Sequence, residues 1–244
     1  MALVLQHSEI DLEKLYLGKP KKDESGKFYT SPVSYNYGPL YIQSAKIKLN
    51  DVQEKENGDC FFTFEIVKDN GKDRDKGDGK DASFYKSCKD LELKFIDTIE
   101  AKSEKWFEKK LPREFITSGY RSIFTENETS VLLTLPFKPT LSKKNLTGVF
   151  NQYKKPMFIK EIKKNSVNSV VIIIEPICLK IGKKNIEACW QVVQMEIKVP
   201  RPIINTYAIR QHSDDEFEDY TDDNNESEEE NEKSDNSENN SEEE

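Results

Sequence analysis

Seven lysines fall within twenty-two residues: Lys143, Lys144, Lys154, Lys155, Lys160, Lys163 and Lys164, with Phe150, Tyr153 and Phe158 interleaved among them. Cationic side chains neutralise phosphates and release counterions. Aromatic rings offer faces to unstacked bases, at about 1–3 kcal/mol per base. Single-stranded nucleic acid displays both targets at once. The run Asn151-Gln152-Tyr153-Lys154-Lys155-Pro156 reads as an exposed turn presenting one ring and two cations. A second basic and aromatic group is Lys109, Lys110, Arg113, Phe115, Tyr120 and Arg121; a third, aromatic only, is Tyr35, Tyr37 and Tyr41. Lysine runs are ordinarily solvated surface, and Phe and Tyr are ordinarily core. The functional reading therefore rests on the combination. No helix-turn-helix pattern or ribonucleoprotein aromatic signature accompanies it, which favours sequence-tolerant binding.

Other chemistry is poorly supported. The two histidines, His7 and His212, lie near the ends of the folded region, which leaves little for histidine acid–base or triad catalysis. No phosphate-binding loop of the G-x-x-x-x-G-K-[ST] type is present, and Gly77-Asp78-Gly79 sits in a polar loop without the strand and helix that dinucleotide binding needs. Asp is absent between Asp97 and Asp214, whereas two-metal nucleases need several converging carboxylates. Glu161-Ile162-Lys163 has nuclease-like spacing but no upstream Asp in its region, and reads as two solvated charges on a strand. The stretch KDNGKDRDKGDGKD over residues 68–81 superficially resembles a calcium loop, but no frame supplies the ligand positions. Cys60, Cys88, Cys178 and Cys189 lack C-x-x-C spacing and suggest neither a disulfide framework nor a zinc knuckle. No enzyme activity, cofactor or metal is expected.

The formal net charge of −8 is an average over two unlike parts. Residues 213–244 hold seventeen acidic groups and one lysine, net −16, while residues 98–212 carry +10. A basic body tied to an acidic tail often marks a nucleic-acid-binding protein. The tail reads as disordered low-complexity sequence, either a solubility device or a phosphate-backbone mimic that competes for the basic groove. Phe217 and Tyr220 are its only aromatics. An alternative reading of the same charges is an interaction module whose tail holds basic partners such as histones or viral core proteins. The longest apolar run, Val170 to Ile174, is far too short to span a membrane, and the opening MALVLQHSEIDLEK shows no secretory signal.

The elements that must position these residues follow from periodicity. Residues 1–30, a short apolar start followed by the polar stretch Lys19 to Lys27, form an N-terminal extension, and the folded domain runs over 31–212. Ala45, Ile47 and Leu49 alternate with polar residues, and Phe61 to Val67 and Val131 to Phe137 read as strands. The best helix is Ser83 to Lys110, with Cys88, Leu91, Phe95, Ile99 and Trp106 on one face and Pro112 ending it; Trp106 continues the apolar stripe and belongs to the core. The β-branched run Val170 to Ile174 predicts a strand buried on both faces, which Glu175-Pro176 interrupts or bulges. Ile177 to Ile181, a turn at Gly182 to Asn185, and Ile186 to Val199 predict a hairpin. The pattern is that of a β-rich α+β domain, a barrel or sandwich with one long helix inserted.

The order of these features resembles the single-stranded DNA-binding proteins of nucleocytoplasmic large DNA viruses, including the poxvirus branch. The resemblance rests on the Phe61–Val67 strand, the helix ending in Trp106-Phe107-Glu108-Lys109-Lys110-Leu111-Pro112, the segment VVIIIEPICLKIGKKNIEACWQVVQMEI, and the acidic tail. It covers most of residues 40–244 in layout. It implies an OB-like β-barrel and cooperative single-stranded DNA binding with self-association along the strand. It also implies work in viral DNA replication, recombination and repair, in the host cytoplasm or a virus factory, with replication proteins as partners of the tail. Related phage proteins end their tails in an aromatic residue; this chain departs from them by ending in Glu242-Glu243-Glu244.

Overall fold

In the computed structural model, residues 4–56, 59–67, 80–137, 140–142, 145–164 and 169–198 are described. The first half of the chain supplies β1 (Val4–Gln6), β2 (Leu15–Leu17), β3 (Lys21–Lys22), β4 (Phe28–Tyr35), β5 (Tyr41–Gln43), β6 (Lys48–Glu54), β7 (Cys60–Val67) and α1 (Lys80–Phe107). The second half supplies α2 (Arg113–Gly119), β8 (Tyr120–Arg121), β9 (Phe124–Glu126), β10 (Ser130–Phe137), β11 (Thr140–Ser142), β12 (Asn145–Thr147), β13 (Val149–Asn151), α3 (Ile159–Lys164), β14 (Ser169–Gly182) and β15 (Ile186–Lys198). Residues 4–30, the expected extension, contribute β1, β2, β3 and the start of β4 to the main strand pairings. The first compact unit spans Met1–Arg201. The acidic tail, the loop 68–79 and the pair Lys143 and Lys144 lie outside the described residues.

The β14–β15 hairpin is the axis of the sheet. It pairs from Ser169↔Lys198 to Ile181↔Ile186, and Gly182 N–H donates to Asn185 O at 2.8 Å to close the turn. The ladder slips between Ile173 and Ile174 and again between Pro176 and Cys178, so Pro176 is carried through the strand next to a bulge. Burial alternates along both strands. Val170, Ile172, Ile174, Leu179 and Ile181 face the core with Ile186, Trp190, Val192, Met195 and Ile197. Val171 and Ile173 point the other way and stay half-exposed. The run Val170–Ile174 therefore has one buried face, not two.

The expected barrel does not close. The sheet is open, in the order β1-β5-β14-β15-β10-β7-β6. β10 and β7 pair over eight residues, but β10 meets β15 at the single pair Phe137↔Val192, and the start of β6 reaches β14 only through the isolated bridge Ile47↔Val170. The β14–β15 hairpin and the β7–β10 pair thus meet at corners, and their inner faces share one core that includes Phe62, Phe64, Leu133, Leu135 and Phe137. The domain is mostly β-sheet with one long helix among the described residues.

That helix, α1, lays Phe84, Cys88, Leu91, Phe95 and Ile99 on the core at spacings of three and four. Burying each large apolar side chain contributes about 1.5–3 kcal/mol. Phe95 reaches Trp190 on β15, ring centroids 6.4 Å apart. Trp106 is only half-buried: it packs edge-on against Phe107, and the Lys102 ammonium lies 5.8 Å from its ring centroid. The helix stops at Phe107, short of the expected Lys110. Glu108 takes a left-handed φ of 56°, and Leu111 N–H donates to Ser103 Oγ at 3.0 Å, which folds the chain back.

Candidate nucleic-acid interface

The turn that follows β13 is held by one side chain. Asn151 Oδ1 accepts from Tyr153 N–H at 2.9 Å and from Lys155 N–H at 3.0 Å. Asn151 N–H donates to Lys155 O, and Lys154 N–H to Asn151 O, both at 2.9 Å. Lys154 closes the turn with a φ of 59°. Met157 N–H then pairs with Val149 O, and the buried Met157 anchors the return. The consequence is outward display: Tyr153 is 55% exposed and Phe158 61%, and Lys154 and Lys155 are exposed beside them. Glu161 lies on α3, not on a strand; its Oε2 accepts from Phe158 N–H at 2.9 Å, so the carboxylate of the nuclease-like motif caps a helix.

This turn rims a groove of about 400 Å³ lined by Gln43, Phe150, Lys154, Val171, Ile173, Gln194, Met195 and Glu196. Its floor is the outer face of the β14–β15 hairpin, apolar through Val171 and Ile173. Phe150 offers a ring, Lys154 a cation, and Gln43 and Gln194 neutral amides. Among the described residues, Glu196 is the one acidic lining group. β13 enters beside β15 in parallel through Gly148, whose φ is 147°. A Cβ at this position would lie 2.8 Å from Phe137 Cζ, so any larger residue would clash.

A second basic and aromatic surface lies at the other end of the hairpin. One hollow of about 600 Å³ is lined by Gly26, Lys27, Phe28, Lys180, Gly182, Lys183, Lys184, Asn185 and Glu187. A neighbouring one of about 400 Å³ adds Lys22, Tyr29, Phe107, Leu111, Phe115 and Ile181. Tyr29 and Phe107 stack edge to face at 5.3 Å. The β4–β14 pairing, with Ile181 opposite Tyr29, brings Lys22 and Lys27 to the hairpin turn. Sequence reading missed these lysines. The signals were the Gly182-Lys183-Lys184 turn and the polar Lys19–Lys27 stretch, which only a long-range strand pairing brings together.

The structure separates the remaining candidates. Tyr35 is 8% exposed and its hydroxyl accepts from Asp11 N–H at 3.1 Å, so it is a core residue with no free face for a base. Tyr37 is fully exposed at a turn with φ 65°, and Tyr41 is half-buried in β5. The Arg113 guanidinium lies 2.7 Å from Asp97 and 2.8 Å from Glu100, and those carboxylates hold its pKa above the usual value; half-exposed, it links α2 to α1. The Tyr120 hydroxyl is buried without a hydrogen-bond partner, and burial, then Glu92, pushes its pKa well up. Lys109, Lys110, Arg121 and Lys160 are exposed. Lys163 and Lys164 end α3.

Glu92 fixes the surroundings of Arg121. Buried at 3% exposure, its carboxylate accepts from Ser122 Oγ at 2.8 Å and Ile123 N–H at 3.1 Å, with Lys89 Nζ at 3.3 Å. The link ties the segment after β8 to α1.

No curated protein matches this chain. Among solved structures it is similar to the single-stranded DNA-binding protein of bacteriophage Enc34, at 12% identity, over 80% of this chain and 96% of that one, with a TM-score of 0.39. A structure of that phage protein in complex with single-stranded DNA gives 12% identity, 76% and 96% coverage, and a TM-score of 0.38. The single-stranded DNA-binding protein gp2.5 of bacteriophage T7 gives 11% identity, 77% and 98% coverage, and a TM-score of 0.41. These are loose overlaps. The firm assignment comes from residues 80–213, more than half of the chain, which match the Family of unknown function (DUF5871), and the chain belongs to that family.

Proposed function

We propose that the chain binds single-stranded DNA without regard to sequence, along the outer face of the β14–β15 hairpin and the basic, aromatic surfaces at its two ends. The observation that carries this reading is the Asn151 turn. It sets Tyr153, Lys154 and Lys155 outward, with Lys154 lining a groove whose sheet floor carries Val171 and Ile173. A phosphate backbone pairs with the lysines while unstacked bases lie on Tyr153, Phe150 and the floor. A duplex keeps its bases stacked inside and makes only the first kind of contact. From Ile173 to Gly182 the hairpin extends roughly 30 Å, room for a site of several nucleotides.

The finer reading adds roles suggested by the resemblance to viral single-stranded DNA-binding proteins. The chain would serve viral DNA replication, recombination and repair in the host cytoplasm, and self-associate along the strand. Residues 213–244, net −16, would compete with DNA for the lysines or dock replication proteins.

Fluorescence titration with oligo-dT and with duplex of equal length tests the central claim. Tight, salt-sensitive binding to oligo-dT and weak duplex binding are expected. Equal affinity for both at moderate salt would overturn it. A chain ending at His212 should bind oligo-dT more tightly than the full chain, most clearly at low salt; unchanged affinity removes the competition and leaves the tail to partners.

A further inference from the structure

Cys178 and Cys189 stand directly opposite each other across the β14–β15 hairpin. Both are free thiols, half-buried on the outer face, whereas Cys60 and Cys88 are buried in the core. Opposed residues of an antiparallel pair have Cα atoms about 4.5–5.5 Å apart, inside the roughly 4.4–6.8 Å that a disulfide spans. A proton kept on Cys178 and directed at its cross-strand neighbour lowers Cys189 to about 7 and pushes Cys178 up. Lys180 further favours the Cys189 thiolate, and Glu187 and partial burial oppose it. One thiolate beside one thiol, within reach of solvent, is the arrangement of an attacking and a resolving sulfur.

We propose that Cys178 and Cys189 form a dithiol site that peroxides convert into a cross-strand disulfide. The Cys189 thiolate attacks one peroxide oxygen. The O–O bond breaks, the departing oxygen takes up a proton and leaves as water, and Cys189 becomes a sulfenic acid. The Cys178 sulfur then attacks the Cys189 sulfur; the S–O bond breaks, and the hydroxide leaves as water with the proton from Cys178. Two thiols and one hydrogen peroxide give one disulfide and two waters, the sulfurs being oxidised and the peroxide oxygens reduced. Cys88 does not compete, since burial, then Glu92, pushes its thiol far up. The site lies on the strand between the two basic surfaces, and it stands whether or not nucleic acid binds there.

The test treats the full chain with a few equivalents of hydrogen peroxide at neutral pH, blocks remaining thiols, and digests with trypsin. Lys180, Lys183 and Lys184 separate the two cysteines, so they fall in different peptides. The expected product is a Cys178–Cys189 linked pair that disappears on reduction, with Cys60 and Cys88 recovered as thiols. Without oxidant, iodoacetamide should label Cys189 in the folded protein about tenfold faster than Cys60 or Cys88, and Cys178→Ala should slow that labelling several-fold. Cys189 passing to sulfinic acid beside a free Cys178, or linkages scattered over all four cysteines, would overturn the proposal.

Discussion

Asn151 and Lys155 hold each other twice: Asn151 N–H donates to Lys155 O at 2.9 Å, and Lys155 N–H donates to Asn151 Oδ1 at 3.0 Å. The side-chain bond is local, yet it sets the direction of Tyr153, which lies inside the loop so closed. Asn151→Ala removes two acceptor contacts and leaves the backbone pairs to hold the turn alone. Loss of about 0.5–1.5 kcal/mol of stability per bond is expected, read as a lower urea midpoint. Tyr153→Ala should weaken oligo-dT binding by about 1–3 kcal/mol. If Asn151→Ala lowers affinity as much as Tyr153→Ala, the turn acts by aiming the ring. If Tyr153→Ala binds normally, the ring is not a stacking platform.

The lysines of the turn and Arg113 differ in what they are free to do. Lys154 and Lys155 are exposed at the groove rim, while Arg113 is held by Asp97 and Glu100. For a single strand, each neutralised phosphate adds about 0.7 to the log–log salt slope. The double variant Lys154→Ala/Lys155→Ala should therefore flatten the slope by about 1.4, and Arg113→Ala should leave it unchanged. Titrations of oligo-dT across salt concentrations read both. A slope change on Arg113→Ala would show that the guanidinium leaves its carboxylates for DNA.

How far the sequence announces these arrangements depends on the range of the interactions. The hairpin, the apolar stripe of α1 and the Asn151 turn are local patterns of period two, three to four and a few residues, and they are legible in the order of the residues alone. The ion pairs of Arg113 are not legible in the sequence because its partners lie thirteen and sixteen residues back on another helix. Lys27 and Lys183 meet only through the pairing of β4 with β14. Whether the sheet closes turns on two single-residue contacts, Phe137↔Val192 and Ile47↔Val170, which leave no periodic trace. Val170–Ile174 reads as doubly buried because β-branched residues suit a strand whichever face is covered.

Glu92 is the next test, of stability. Replacing it with Ala leaves Ser122 O–H and Ile123 N–H without their acceptor in a part-buried setting. Loss of such an acceptor costs about 1–3 kcal/mol, so a lower urea midpoint is expected. Glu92→Gln keeps an acceptor oxygen and should retain most of the stability while losing the charge pairing with Lys89. Equal midpoints for Glu92→Ala and the unaltered chain would show that water replaces the carboxylate.

His7 makes stability depend on pH. Its ring meets Phe84 edge to face at 5.9 Å, and its Nδ1 is buried without a hydrogen-bond partner. Burial pushes its pKa below the ordinary value, against a smaller upward effect of the hydrogen bond with the Gln43 backbone. In the unfolded chain the ring titrates near about 6.5. Below that value the unfolded state binds the proton more readily than the folded state, and stability rises with pH wherever that holds. The contribution of His7 is therefore fully present above the unfolded pKa and is lost as pH falls toward the lower folded one. Urea midpoints measured on either side of about pH 6.5 should drop on the acid side, and His7→Gln should reduce the drop. An equal drop in both proteins would assign the acid sensitivity to other groups.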